Sequence, residues 1–187
     1  MPSRLVLVSG PSRGGKSRWA EHLAEQSTAA VTYIATGPQP GGDASWQQRV
    51  EQHQGRRPNG WNTIESGADL EGTLRNLLAS EQLQDPSCLL IDSLGSWLAW
   101  HLDDTPERWS ERCGQLTHLL LAQPGPVLLV VEETGWGVVP PTAIGGLFRD
   151  RLGALQQQLT ARCTAAWLVV AGRALNLLSL GIAVPNL

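Results

Sequence analysis

The octapeptide GPSRGGKS, residues 10–17, constrains this chain more than any other stretch. It follows the short apolar run RLVLVS (4–9) and opens a stretch of helical patterning (16–26), the setting that the pattern G-x-x-x-x-G-K-S/T requires. Gly10, Gly14 and Gly15 let backbone amides turn toward an anion, with Pro11, Ser12 and Arg13 completing the loop. The N-terminus of the following helix adds its partial positive charge. Lys16 is the cation expected to reach β- and γ-phosphates, and Ser17 the hydroxyl expected to face Mg²⁺. A glycine-rich turn without a ligand is the competing reading, and the strand before and helix after argue against it.

The rest of the chain agrees with such a loop. Further apolar runs at 31–35 (VTYIA), 88–92 (CLLID), 127–133 (VLLVVEE) and 165–172 (AAWLVVAG) lack polar alternation, so both faces of each strand are expected to be buried. Helical stretches fall between them at 68–80, at 94–122 with a break near Pro106, and at 145–162. The last sets Phe148, Leu152, Leu155 and Leu159 on one face, with Arg149 and Asp150 off it. Alternating strands and helices predict an α/β fold with a mostly parallel sheet flanked by helices and ligands at the carboxyl ends of the strands. The Gly- and Pro-rich stretches 37–45, 54–60 and 135–141 then become loops near the site.

Composition narrows the class of ligand. The 187 residues suit one domain spanning 1–187, and a formal charge of −3 with scattered Lys and Arg favours small-molecule chemistry over nucleic acid or an anionic membrane. No stretch reaches the roughly 18 apolar residues of a membrane span, and a cytoplasmic location is expected. Cys88, Cys113 and Cys163 show no metal-ligand spacing and read as reduced core residues. Most of the eight Trp residues are expected to serve packing.

Two acidic strand ends stand out. Asp92 closes CLLID, where it can order Mg²⁺ or its waters, or cap the helix that begins near Ser93. Glu132 and Glu133 close VLLVVEE; alternation turns only one of them toward a given face, as a base or a ligand near the metal, and residue order does not say which. A polar, basic segment, RVEQHQGRRPNGW (49–61), carries His53. If residues 46–54 form one or two helical turns, Arg49 and His53 share a face, and the neighbouring cation favours neutral, nucleophilic imidazole. Arg49 or Arg57 can then grip phosphate oxygens while His53 attacks phosphorus; a solvated surface histidine is the alternative.

The phosphate loop, YIATG (33–37), the spacing Arg49-x₃-His53-x₃-Arg57-Pro58 followed by Trp61, Asp92, and EETGWGVVP with FRD (148–150) occur here in one ordered set. In this the chain resembles the bifunctional adenosylcobinamide kinase/adenosylcobinamide-phosphate guanylyltransferases of cobalamin biosynthesis, from Leu5 to about Val170. The resemblance implies a RecA-like P-loop NTPase fold and a homotrimer. It implies that ATP or GTP phosphorylates adenosylcobinamide with Mg²⁺ as cofactor, and that GMP then passes from GTP to adenosylcobinamide phosphate through a histidine intermediate. The matching nucleophile is His53. Nucleotide contacts are implied at the phosphate loop, at Thr36, Gly37 and Pro38, at Gln54, Gly55, Arg56 and Arg57, and at Glu65 and Asp92; Glu133 is a further metal candidate. Relatives often carry an acidic residue where Ser45 stands, Asn-Glu where Glu132-Glu133 stands, and asparagine where Gln156 stands. A kinase-only member and a nucleotide-binding regulatory protein without turnover are the alternatives, and loop 135–141 and the Trp-bearing segment 97–109 are candidates for holding the corrinoid.

Overall fold

The structure, a computed structural model, describes residues 4–27, 29–38, 55, 57–80 and 87–185. Five strands follow the apolar runs: β1 (Leu5–Gly10), β2 (Val31–Ala35), β4 (Cys88–Asp92), β5 (Val127–Glu132) and β6 (Ala165–Val170). Two more, β3 (Asn62–Glu65) and β7 (Arg173–Asn176), have no apolar run behind them and take the two edges of the sheet, in the order β3-β2-β4-β5-β1-β6-β7. Every pairing is parallel except β6 with β7. An edge strand needs an apolar face only toward its single neighbour, so NTIE and RALN carry little hydrophobic signal.

The helices are α1 (Lys16–Glu25), α2 (Leu70–Ala79), α3 (Leu94–Ala99), α4 (Pro106–Ala122), α5 (Ala143–Thr160) and the short α6 (Leu177–Leu180). The break expected near Pro106 is real, and its cause is local. Thr105 caps α4 by accepting the Arg108 amide at 3.3 Å, and Pro106 occupies the first helical position, where a missing N–H costs nothing. Helix α5 begins two residues earlier than the apolar periodicity indicates because the Thr142 hydroxyl accepts the Gly145 amide at 3.2 Å.

Strand alternation sends side chains to two unequal layers. Leu5, Leu7, Leu89, Ile91, Leu129 and Val131 face α2, α3, α4 and α5, where Leu74, Trp97, Leu116 and the predicted Leu152, Leu155 and Leu159 meet them. Val8, Tyr33, Leu90 and Val130 face the other way, against Ala20 and Ala24 of α1. Asp92 and Glu132 share strand parity with this second set and end their strands at the sheet's carboxyl edge. The cysteines belong to these layers as expected. Burial pushes the thiols of Cys88 and Cys113 up to about 11.

A polar network in the larger layer fixes the 100–105 turn. Arg112 donates to Glu71 at 2.6 Å and to Asp104 at 2.8 Å, while the Trp97 indole donates to the second Glu71 oxygen at 3.1 Å. From α5, Arg151 donates to the carbonyls of His101, at 3.0 Å, and of Leu102 and Asp104, and its guanidinium lies 5.2 Å from the Trp109 ring centroid. Three helices therefore hold one turn in place. Arg112→Ala leaves the buried Glu71 carboxylate uncompensated and is expected to lower stability by about 2–3 kcal/mol in urea denaturation, somewhat under the cost of breaking a fully buried pair. Cys88 and Cys113 should react with a thiol reagent at pH 8 no faster than the protein unfolds, which timed labelling with and without urea will show.

Candidate functional site

The phosphate loop, the acidic ends of β4 and β5 and the turn at Thr36 gather at the carboxyl edge of the sheet. Strand β1 ends at Gly10, whose carbonyl accepts the Glu133 amide at 2.8 Å. A Cβ on Gly10 would run into the Val169 carbonyl oxygen, and one on Gly14 would sit 2.7 Å from it, so only glycine lets the loop lie this close to β6. The Gly14 amide turns back to the Pro11 carbonyl at 3.1 Å, and Ser12 and Arg13 are exposed at the tip. Gly15, at φ 104°, is the N-cap of α1 and offers no side chain to the helix amides. With no acidic residue in that first turn either, Lys16, Ser17 and the free amides form a positive concavity suited to phosphate.

Asp92 lies across from this loop on β4. One of its carboxylate oxygens accepts the Tyr33 hydroxyl at 3.0 Å, and the Arg57 guanidinium lies 3.5 Å from the Tyr33 ring centroid. Burial, and then the Asp92 charge, raise the Tyr33 pKa, so the phenol stays protonated and remains a donor. Asp92 is joined to Ser93 by a cis peptide bond, and Ser93, not Asp92, caps α3 by accepting the Ser96 amide at 3.3 Å. Asp92 thus faces the phosphate-loop side of the sheet instead of serving as a helix cap.

The two glutamates ending β5 separate cleanly. Glu132 accepts the Ser93 hydroxyl and, at 2.9 Å, the Gly95 amide. Desolvation, reinforced by the Asp92 charge, raises its pKa against the opposing effects of the Ser93 hydrogen bond and Lys16. Glu133 lies past the strand end and accepts the Gly135 amide at 3.0 Å in its own turn. The carboxylate beside Asp92 and Lys16 is therefore Glu132. The register between β4 and β5 agrees with this: residues 128, 130 and 132 share the α1 face with 90 and 92.

At the far side of the edge, Thr36 is fully buried and wholly engaged. Its hydroxyl donates to the Ser93 carbonyl at 2.6 Å and accepts the Ser93 amide at 2.9 Å; its own amide goes to the Asp92 carbonyl and its carbonyl to the Trp100 indole. Beyond it opens a cleft of about 260 Å³ lined by Gly37, Pro38, Glu65, Ser66, Gly67, Ala68 and Trp100. Three residues implied as nucleotide contacts, Gly37, Pro38 and Glu65, thus meet in one cleft. From β1 to β2 is three strand spacings, about 14 Å, so cleft and phosphate loop lie on the same edge without touching. His53, Gln54 and Arg56, with Asp43, Ser45, Arg49 and the helical turns expected at 46–54, lie outside the described residues. The described chain stops at Pro38, on the cleft, and continues at the exposed Gly55 and at Arg57, against Tyr33.

Of the Trp-bearing segment, Trp97 and Trp109 are core residues, whereas Trp100 is 48% exposed. Loop 135–141 leaves Trp136, Val138 and Val139 exposed. Among the described residues no three His, Cys, Asp or Glu side chains converge as a metal cluster. Ser17, Asp92 and Glu132 are nonetheless hard oxygen donors on one side of one edge. That set fits Mg²⁺, which commonly takes only one or two protein carboxylates and completes its shell with water and phosphate.

A family model described as "Cobinamide kinase / cobinamide phosphate guanyltransferase" matches residues 6–177. The chain is 39% identical over 167 residues to "Bifunctional adenosylcobalamin biosynthesis protein CobP" of Pseudomonas aeruginosa, covering 89% of this chain and 92% of that protein. It is 31% identical over 177 residues to "Bifunctional adenosylcobalamin biosynthesis protein CobU" of Escherichia coli, covering 90% and 96%. Among solved structures, an ATPase from the type III secretion system of pathogenic bacteria superposes with TM-score 0.56 at 12% identity, over 96% of this chain and 59% of that one. The RadB recombinase does so with TM-score 0.50 at 17% identity, over 89% and 74%. At such identities the likeness is one of fold, and the fold is the RecA-like P-loop NTPase expected from the sequence. The family match runs from the first strand, through the phosphate loop and the His53 segment, to the start of α6, and the chain belongs to the cobinamide kinase/cobinamide phosphate guanyltransferase family.

Proposed function

We propose that the chain is a cytoplasmic transferase that performs two consecutive reactions in assembling the nucleotide loop of cobalamin. In the first, the aminopropanol hydroxyl of adenosylcobinamide attacks the γ-phosphorus of ATP or GTP, the bond to the β-phosphate oxygen breaks, and the hydroxyl proton passes to a base. In the second, the His53 imidazole attacks the α-phosphorus of GTP and pyrophosphate leaves. The phosphate of adenosylcobinamide phosphate then attacks the same phosphorus, the N–P bond breaks, and adenosylcobinamide-GDP is released. Dividing the transfer between two anions into two displacements on a histidine lowers each barrier. The observation that carries this reading is the family match over residues 6–177, which spans both the phosphate loop and the His53 segment.

Each group has work that suits its chemistry. The uncapped α1 amides and Lys16 neutralise the triphosphate. Bound Mg²⁺ would offset further phosphate charge, held by Ser17 and Asp92 with Glu132 beside them. Tyr33 keeps Asp92 oriented and gives Arg57 a surface to stack on, which fixes Arg57 at the strand end beside Asp92. Glu65 presents an exposed carboxylate that can accept both N1–H and N2–H of guanine, a pairing adenine cannot make. Thr36 contributes by holding the edge together, since its polar atoms are engaged within the protein.

The chain is also proposed to act as a homo-oligomer, the trimer implied by the family resemblance. Leu180, Ile182 and Val184 are 72%, 97% and 85% exposed at the C-terminal end, an apolar run that a second copy of the chain can cover.

Incubation with α-labelled GTP and Mg²⁺ followed by denaturation should leave an acid-labile, alkali-stable label on the protein. His53→Ala should abolish the label while kinase turnover stays within about threefold, and Lys16→Ala should lower kinase turnover at least about a hundredfold. A wild-type protein that phosphorylates cobinamide yet never takes the label would be a kinase alone; one that does neither would sink both assignments. Ile182→Glu should reduce the molar mass seen by light scattering, and an unchanged oligomer would rule out this surface.

A further inference from the structure

Trp100 has its indole inverted relative to the usual habit of that side chain. An aromatic residue with a polar end normally buries its apolar body and leaves the polar end near water. Here the Nε1–H points inward, donating to the Thr36 carbonyl at 2.9 Å, and 48% of the residue stays exposed. Nothing in the core requires this, because the neighbouring Trp97 and Trp109 fill that layer and pack on each other with ring centroids 5.4 Å apart. The exposed indole is instead one wall of the 260 Å³ cleft that also holds Glu65.

Both walls of that cleft are held from behind. Thr36, which accepts the indole proton, is bonded twice to Ser93, so the ring is referenced to the ends of β2 and β4. The next residue, His101, places its Nε2 3.0 Å from the carbonyl of Ala68, which also lines the cleft. Donation from Nε2–H is the assignment that satisfies that oxygen. Arg151 and Arg112 anchor the same turn, through the His101 and Leu102 carbonyls and the Asp104 carboxylate. The lining glycines, Gly37 and Gly67, leave the space between the walls clear, and a Cβ at Gly67 would meet nothing within 4 Å. A cleft walled by an exposed indole and carrying a carboxylate suits a planar heterocycle with adjacent N–H donors. Its volume of about 260 Å³ lies below the roughly 300–1,000 Å³ of pockets that enclose a drug-sized ligand, a size that suits a single base better than a corrin ring.

We propose that Trp100 is the stacking platform for the guanine base of the GMP donor, with Glu65 reading the base edge. This rests on the guanylyltransferase reading above and adds to it the residue that holds the base by its face. Stacking needs an aromatic plane and not merely apolar bulk, which gives the idea a sharp test.

The half-saturating GTP concentration for formation of the covalent label should be measured for the wild type, Trp100→Ala, Trp100→Leu and Trp100→Phe, with urea midpoints as a check on folding. Alanine and leucine are expected to raise it about ten- to a hundredfold, the range for one base on one ring, without changing the labelled fraction at saturation. Phenylalanine, which stacks but cannot donate to Thr36, should remain within about threefold of wild type, and the KM for adenosylcobinamide phosphate should not move. The inference is overturned if leucine matches wild type, if phenylalanine is as poor as alanine, or if the corrinoid KM moves instead of that for GTP. Should Trp100→Ala fail to fold, the comparison of leucine with phenylalanine decides alone. A wild type that takes no label at any GTP concentration removes the guanylyltransferase reading and this inference with it, whereas labelling unaffected by Trp100 removes only the latter.

Discussion

One hydroxyl holds the working edge of this protein together. Thr36 Oγ1 donates to the Ser93 carbonyl at 2.6 Å and accepts the Ser93 amide at 2.9 Å, in a site closed to water. Losing it would strand two buried backbone groups, each worth about 1–3 kcal/mol when unsatisfied. From that joint the contacts branch outward. Ser93 starts α3 and donates to Glu132; Asp92, one residue earlier, receives Tyr33; the Thr36 carbonyl fixes Trp100. Phosphate side and cleft side of the edge therefore share one rigid reference, which a transfer reaction between two bound anions needs, since small misplacements cost rate steeply.

The unequal coating of the sheet explains why that edge is accessible. Helices α2 to α5 share one face, whereas α1 contributes the described helical cover of the other. The phosphate loop leads into that single helix, and Asp92 and Glu132 point to the same side by strand parity. The crowded face holds the 100–105 turn in place through the ion pairs of Arg112 and the carbonyl contacts of Arg151.

Much of this was legible in the residues themselves. The phosphate loop announced its own setting, because its glycines, lysine and serine make sense only between a strand and a helix. Five buried strands were readable as apolar runs, and the Thr105–Pro106 break as a cap followed by a tolerated proline. The edge strands β3 and β7 were not, since a strand with one neighbour needs little apolar content. Nor did composition separate Trp100 from the other tryptophans. Its role depends on where α3 ends relative to Thr36, a distance of 64 residues along the chain.

By itself the sequence determined that this chain builds a parallel sheet with a phosphate-binding turn after its first strand, because period, glycine placement and one lysine are local properties. It also singled out the ordered set of motifs that marks the family. Only the tertiary structure decided that Glu132 and not Glu133 stands beside Asp92, that Thr36 serves the frame, and that Glu65, Gly37 and Trp100 enclose one cleft. These are consequences of strand register and helix docking, which bring together residues far apart in sequence, and no local pattern encodes the angle at which a ring meets the space in front of it.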